Sequence, residues 1–263
     1  MIKVGIMNQK GGVGKTSLTV NLAACLGEKW KRKVLICDCD AQANATTYLL
    51  TCAEEPDEAD ESANVSIYDV LNNGNIPKPQ GIQIRNGKKL IKTGISLIPG
   101  DRRVDLIEED RTSQLKEALD RLSGFDICFL DCSPQRTTIN LIALGVCDYV
   151  LVPVFPDIDS VAGYDMVSEL VSMLRKSGTN PTVEILGMIV NDVTQKGSLD
   201  SYLIEKFGRE FGDIVFKSTI RHSLQVRQAR YMGLPVNYFK GSSNVTADYY
   251  ACAKEFLKKL GRK

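Results

Sequence analysis

The 263-residue sequence has no apolar run approaching the ~20 residues that a membrane helix needs. None of its eight cysteines forms a C-x-x-C pair, and it has no internal repeat or long linker. It also has almost no net charge, +1 from 33 basic and 32 acidic side chains. Lack of an apolar run excludes a bilayer-spanning helix. Lack of paired cysteines argues against a zinc or iron–sulfur module, and the scattered cysteines do not read as a disulfide frame. The thiols at 25, 37, 39, 52, 128, 132, 147 and 252 include several in apolar runs such as VLICDCD and DICFLDC, and read as reduced, buried groups of a cytoplasmic protein. MIKVGIM at the start runs straight into a glycine-rich loop and reads as a strand, not a signal peptide. The remaining composition, 25% charged and 43% hydrophobic, is ordinary for a soluble globular protein with ample material for a core.

The small net charge conceals a split. Residues 194–263 carry 13 Lys and Arg against 6 Asp and Glu, a net of +7, and the other 193 residues carry −6. A basic C-terminal quarter on an acidic body suggests a localised anionic partner.

Short apolar runs alternate with helical patterns. IKVGIM (2–7), KVLICDCD (33–40), ISLIPG (95–100), DICFLDC (126–132), DYVLVPV (148–154) and VEILGMIVN (183–191) read as strands buried on both faces. Helical periodicity marks KTSLTVNLAACLGEKW, SQLKEALDRLSG, TTINLIALGV, AGYDMVSELVSMLRKSG and GSLDSYLIEKFGREFG between them. This alternation predicts one α/β domain over 1–263, a mostly parallel twisted sheet flanked by helices on both faces. Two segments break the rhythm: an acidic loop over 53–64, containing AEEPDEADES, and a candidate hairpin over 82–92, where Asn-Gly separates β-rich arms.

Three motifs carry chemistry. MNQKGGVGKTSL (7–18) is a phosphate loop that lacks its opening glycine, whose position is held by Gln9, and that gains a second lysine, Lys10. It follows a strand and opens a helix, the context in which Gly11, Gly12 and Gly14 let backbone N–H groups close on phosphate oxygens. Lys15 suits the β- and γ-phosphates and Thr16 suits Mg²⁺. In ICDCDAQANATT (36–47), Asp38 and Asp40 lie two apart at a strand end and point to one side; one could support Mg²⁺ and the other position a water. DICFLDCSPQRT (126–137) ends a strand at Asp131, the second carboxylate expected near Mg²⁺, with Ser133 opening a loop placed to sense a γ-phosphate.

Together these segments resemble the ParA/Soj family of deviant Walker A ATPases, a branch that also includes MinD. KGGVGKT is similar to the family's loop with its signature lysine, DCDAQANAT to D-x-D-P-Q-x-N-A-T, and LDCSP to D-T/C-P-P. SIYDVLNNG, LIPGDRRVDLIEED, VPVFPDIDSVAG and IRHSLQVRQARYMGLPV look like further family segments, so the likeness spans essentially the whole chain. It implies ATP held by Lys10, Gly11, Gly12, Val13, Gly14, Lys15, Thr16 and Ser17, with Asn191 at the base. It also implies Mg²⁺ near Thr16, Asp38 and Asp131, with Lys10, Lys15 and Asp40 as catalytic residues. Lys10 would reach across a homodimer formed on ATP, and Asp40 would position the attacking water. The function implied is a weak, partner-stimulated ATPase, nucleoid-associated in the cytoplasm. It would bind nonspecific double-stranded DNA and drive plasmid or chromosome partitioning with a ParB-like centromere-binding adaptor.

The chain departs from the family pattern at Ala41 and Ser133, where proline is usual, which should leave both switch loops less restrained. Pro-Arg is replaced by Arg221-His222 and a second arginine by Gln225, so the basic groups shift to Arg221, Arg227 and Arg230. With Ser223 as a helix cap, Arg227 and Arg230 share a face and Arg221 stands just before it, free to reach a phosphate. The alternative is a MinD-like membrane-associated ATPase using ADYYACAKEFLKKLGRK as an amphipathic tail, with Tyr250, Ala253, Phe256, Leu257 and Leu260 on one face. No flexible linker precedes that tail, so it is expected to pack on the core.

Overall fold

A computed structural model describes residues 1–51, 65–86, 89–194 and 199–261. The acidic stretch AEEPDEADES lies outside these residues. Seven strands form one sheet: β1 (Ile2–Ile6), β2 (Val34–Cys39), β3 (Gln80–Asn86), β4 (Lys89–Ile98), β5 (Ile127–Cys132), β6 (Tyr149–Val154) and β7 (Glu184–Val190), in the order β3-β4-β2-β5-β1-β6-β7. All neighbours are parallel except β3 and β4, an antiparallel pair with Asn86 opposite Lys89. β2 and β5 are buried at every residue, as continuous apolar runs require when helices cover both faces.

The α-helices are α1 (Lys15–Trp30), α2 (Asn44–Leu50), α3 (Ile67–Asn73), α4 (Thr112–Arg121), α5 (Thr138–Gly145), α6 (Ser160–Lys176), α7 (Leu199–Phe211), α8 (Leu224–Tyr231), α9 (Val236–Phe239) and α10 (Asn244–Leu260). Strand alternation sends Leu35, Cys37 and Cys39 into one apolar core, shared with α3 to α7. Val34 and Ile36 enter the other, shared with α1, α2 and α8 to α10. The seven cysteines among the described residues are buried and free.

α10 buries Val245, Tyr249, Cys252, Ala253 and Phe256 against the second core, with Tyr250, Leu257 and Leu260 at its margin. The stripe is therefore rotated from the one expected, toward Tyr249 and Cys252, and it packs on the protein. No helix among the described residues is long and apolar enough to cross a membrane.

α2, α3 and α9 span seven residues or fewer, too short to show a helical period. α3 nevertheless carries a readable start signal: Ser66 accepts from Asp69 N while the Asp69 side chain receives the Ser66 N–H. In the parallel sheet the carboxyl ends of β1, β2 and β5 come side by side, and Asp38 pairs in register with Asp131.

Candidate functional site

The loop after β1 turns into α1 through Gly12 and Gly14, both left-handed (φ 78° and 85°), a conformation open to glycine at little cost. Gly14 is also fixed by contact, because a Cβ there would lie 2.3 Å from Asn191 Nδ2. That nitrogen donates to Val13 O at 2.9 Å, so the end of β7 ties down the loop. Over Gly11 and Gly12, by contrast, a Cβ would meet nothing within 4 Å. The loop therefore presents open backbone. No side chain caps α1 at Gly14, so the first-turn N–H groups face that opening.

Lys15 is the first residue of α1 and is 7% exposed. Its ammonium donates only to carbonyl oxygens, Asn8 O at 3.0 Å and Lys10 O at 3.4 Å. Burial lowers its pKa, opposed by the nearby charges of Asp131, Cys132 and Asp40. A buried ammonium satisfied by neutral acceptors is suited to a phosphate.

Asp131 accepts from the Thr16 hydroxyl and from the Thr19 hydroxyl, each at 2.8 Å. Asp38 Oδ2 accepts from Thr46 N at 2.8 Å and Thr46 Oγ1 at 2.7 Å, and Gly100 packs against the same carboxyl, since a Cβ there would sit 2.8 Å from the carboxyl carbon and 3.0 Å from Oδ2. Burial pushes both carboxyls up, Asp38 to about 6 and Asp131 to about 7, and the Asp38 charge beside Asp131 pushes the latter further. Two buried carboxylates in register, next to a threonine hydroxyl that donates to one of them and keeps lone pairs free, form a donor set fit for a hard cation such as Mg²⁺.

Asp40 closes the following turn: it accepts from Gln42 N at 2.9 Å, and Ala43 N donates to Asp40 O at 2.8 Å. Its side chain is 7% exposed. Ser133, at the other strand end, is tied by Asn140, whose side chain accepts from Ser133 N and donates to Ser133 O, Ser133 Oγ and Gln135 O. Both loops that lack the family proline are thus held by hydrogen bonds.

Lys10 points away from Lys15. Its ammonium donates to Asp157 Oδ2 at 2.5 Å and lies 6.0 Å from the Phe155 ring centroid, while its backbone N–H is held by Asn8 Oδ1. Burial alone would raise Asp157, but the hydrogen bonds from Lys10 and Ser160 outweigh it and hold the carboxyl below its ordinary range. Asn8, Thr19, Thr46, Asn140 and Asp157 were absent from the residues singled out by sequence. Thr19 left a local signal there, three positions after Thr16 on the same helix face, and Asn8, Thr46 and Asp157 lie within the segments MNQKGGVGKTSL, DCDAQANAT and VPVFPDIDSVAG.

The basic C-terminal stretch differs from expectation at one residue. Arg221 is not free: Nε donates to Asp248 Oδ2 at 2.5 Å and Nη2 to Asp248 Oδ1 at 2.8 Å. Its backbone bridges to Val193 beyond β7, and its own N–H also donates to Asp248 Oδ2, at 3.1 Å. Ser223 caps α8 by accepting from Gln225 N. Arg230 donates to Asn44 Oδ1 at 3.0 Å, and Arg227 is exposed.

Comparison with known proteins finds relatives over nearly the whole chain. A family described as AAA domain matches residues 1–185. The sporulation initiation inhibitor protein Soj of Bacillus subtilis is 29% identical over 261 residues, 96% of each chain. The chromosome partitioning protein ParA of Caulobacter vibrioides is 27% identical over 263 residues, 97% of this chain and 93% of that one. Among solved structures, the septum site-determining protein MinD of Pyrococcus horikoshii, complexed with Mg-ADP, superposes with a TM-score of 0.73 at 23% identity, covering 99% of this chain and 97% of that one. It shares the fold.

Proposed function

The chain belongs to the AAA-domain family and is a relative of Soj and ParA; on that premise we propose that it is a Mg²⁺-dependent ATPase that dimerises on ATP and binds duplex DNA without sequence preference. In this reading it works in DNA partitioning, on the nucleoid, with a ParB-like adaptor at a centromere. The observation that carries the proposal is Lys10. A phosphate loop with Lys15 already buried beneath it has a second lysine at its lip, about one-third exposed and held by one partly exposed ion pair. A mobile cation there suits phosphates brought by a second copy of the chain.

Within one copy, the backbone of Gly11 to Gly14 and the N-terminus of α1 would hold the phosphates, Lys15 would neutralise them, and Asn191 would face the base. Thr16 and Asp131, with Asp38 beside them, would hold Mg²⁺, which supplies charge neutralisation at the phosphates when bound. Asp40 stands at the mouth of the site. Its carboxylate would orient the attacking water and accept its proton. Burial of the apolar face of α10 favours DNA over membrane as the anionic partner.

Light scattering with ADP and with ATP tests this. The expected mass doubles with ATP only, and Lys10→Ala stays monomeric while still binding ATP. A wild-type mass independent of nucleotide overturns the proposal.

A further inference from the structure

Among the described residues, a dense run of exposed positive charge lies outside the C-terminal quarter. Between α1 and β2 the sequence reads Lys29-Trp30-Lys31-Arg32-Lys33, and Lys31, Arg32, Lys33 and, on β4, Lys92 are all exposed. These four line one cleft of about 590 Å³ at the carboxyl end of α1.

Among the described residues, Glu28 is the one acidic residue lining it, and its carboxylate is engaged by Asn237 Nδ2 at 2.7 Å and by the Tyr250 hydroxyl. Arg32 makes a long ion pair with Asp126, 3.8 Å, which neutralises it only in part. At the carbonyl end of α1 the Lys31 and Arg32 N–H groups both donate to Leu26 O. Cations near a helix carboxyl end are expected on dipole grounds alone. That does not account for Lys92, which comes from a different element and faces the same cleft.

A second basic group stands toward the other end of α1. Arg230 bonds Asn44 on α2, near the loop end of α1. From α8 the chain passes into α9, which runs beside α1: Val236 N donates to Asn21 Oδ1, and Asn237 reaches Glu28. Basic groups therefore stand toward both ends of α1, a helix of 16 residues and so about 24 Å long. A small anion could occupy one end only. A rod of phosphates could touch both, and 24 Å is about seven base pairs at 3.4 Å each.

We propose that the α1–β2 turn and Lys92 form a second phosphate-contacting surface, and that one DNA duplex lies along the α1 flank from Arg227 and Arg230 to this cleft. The inference rests on the nonspecific DNA binding proposed above and adds where the duplex lies. It fixes a direction: the duplex runs parallel to α1.

The test is fluorescence anisotropy of full-length protein on a labelled duplex of arbitrary sequence, with ATP and Mg²⁺, over a salt series. Each phosphate contact contributes about 0.9 to the slope of log affinity against log salt, so replacing Lys31, Arg32, Lys33 and Lys92 by Ala should reduce the slope by about 3 to 4 per copy. Circular dichroism and nucleotide affinity of the variant should match wild type, since none of the four touches the loop. An unchanged slope overturns the inference and leaves nonspecific DNA binding in place. Wild-type protein that ignores the duplex in every nucleotide state overturns both. Binding to anionic phosphatidylserine vesicles in place of DNA, lost in the same variant, assigns the cleft to a membrane and also overturns it.

Discussion

Asp157→Asn should tighten the ATP dimer. In the single chain Lys10 is committed to Asp157 across 147 residues of sequence, at 2.5 Å, and Asp157 is itself held by the Ser160 hydroxyl at 2.7 Å. If Lys10 must reach the nucleotide of a second copy, that ion pair has to break. Side-chain exposures of 32% and 37% place it in the partly screened range, where a pair contributes about 0.2–1 kcal/mol. A dimer breaks two such pairs, so the substitution should favour it by about 0.4–2 kcal/mol, a two- to thirtyfold lower dimer dissociation constant. Asparagine keeps the size and can still accept from Ser160, so the loop should stay in place. Sedimentation velocity across a protein dilution series, with ATP and Mg²⁺, reads the constant directly. Weaker dimerisation would mean that Asp157 is needed in the dimer and does not compete with it. An unchanged constant would mean that Lys10 stays on Asp157 in both states.

Three other substitutions probe the site. Lys15→Ala should abolish ATP binding by calorimetry, and wild-type affinity in that variant would remove Lys15 from the phosphates. Asp40→Ala should slow hydrolysis by ~10²–10⁴-fold while ATP dimers accumulate; normal turnover would shift the water-orienting role elsewhere, to Asp38 first. Gly14→Ala must hold φ near +85°, which costs about 1–2 kcal/mol, and must displace Asn191 from 2.3 Å. It should lower the melting temperature and ATP affinity together, and a variant that binds ATP like wild type would show that the Asn191 anchor is dispensable.

What could be read in the sequence was local. β2 and β5 announced themselves because every residue in them is buried, and α1 because its length shows a full helical period. The phosphate loop was legible because its glycines and lysine lie within eight positions of one another. What could not be read depends on partners brought together by the fold. Nothing around position 157 says that its carboxylate meets Lys10, and nothing around Arg221 says that Asp248, 27 residues on, will neutralise it. A charge count over 194–263 treats Arg221 as available, and it directs attention away from the shorter, denser run at 29–33.

The two missing prolines show how such long-range contacts change the meaning of a local departure. Proline restrains a loop by removing conformations from the chain itself, in every state. Here Ala41 and Ser133 leave that freedom in place, and the folded protein restrains the loops with bonds that can break. Four hydrogen bonds run between the Asn140 side chain and the Ser133 loop. At Asp40 the turn closes through its own carboxylate and through Ala43, a non-glycine residue held at φ 48°. A left-handed alanine costs about 1–2 kcal/mol, so this turn stores a small strain that rearrangement could release. The Asp40 carboxylate that holds the turn is also the group proposed to orient water. Gln42 N takes one acceptor site on Oδ1, and the carboxylate keeps others for a water. Loop closure and the proposed water orientation are therefore linked through one side chain: a rearrangement that draws Gln42 away from Asp40 would release the carboxylate from its present orientation.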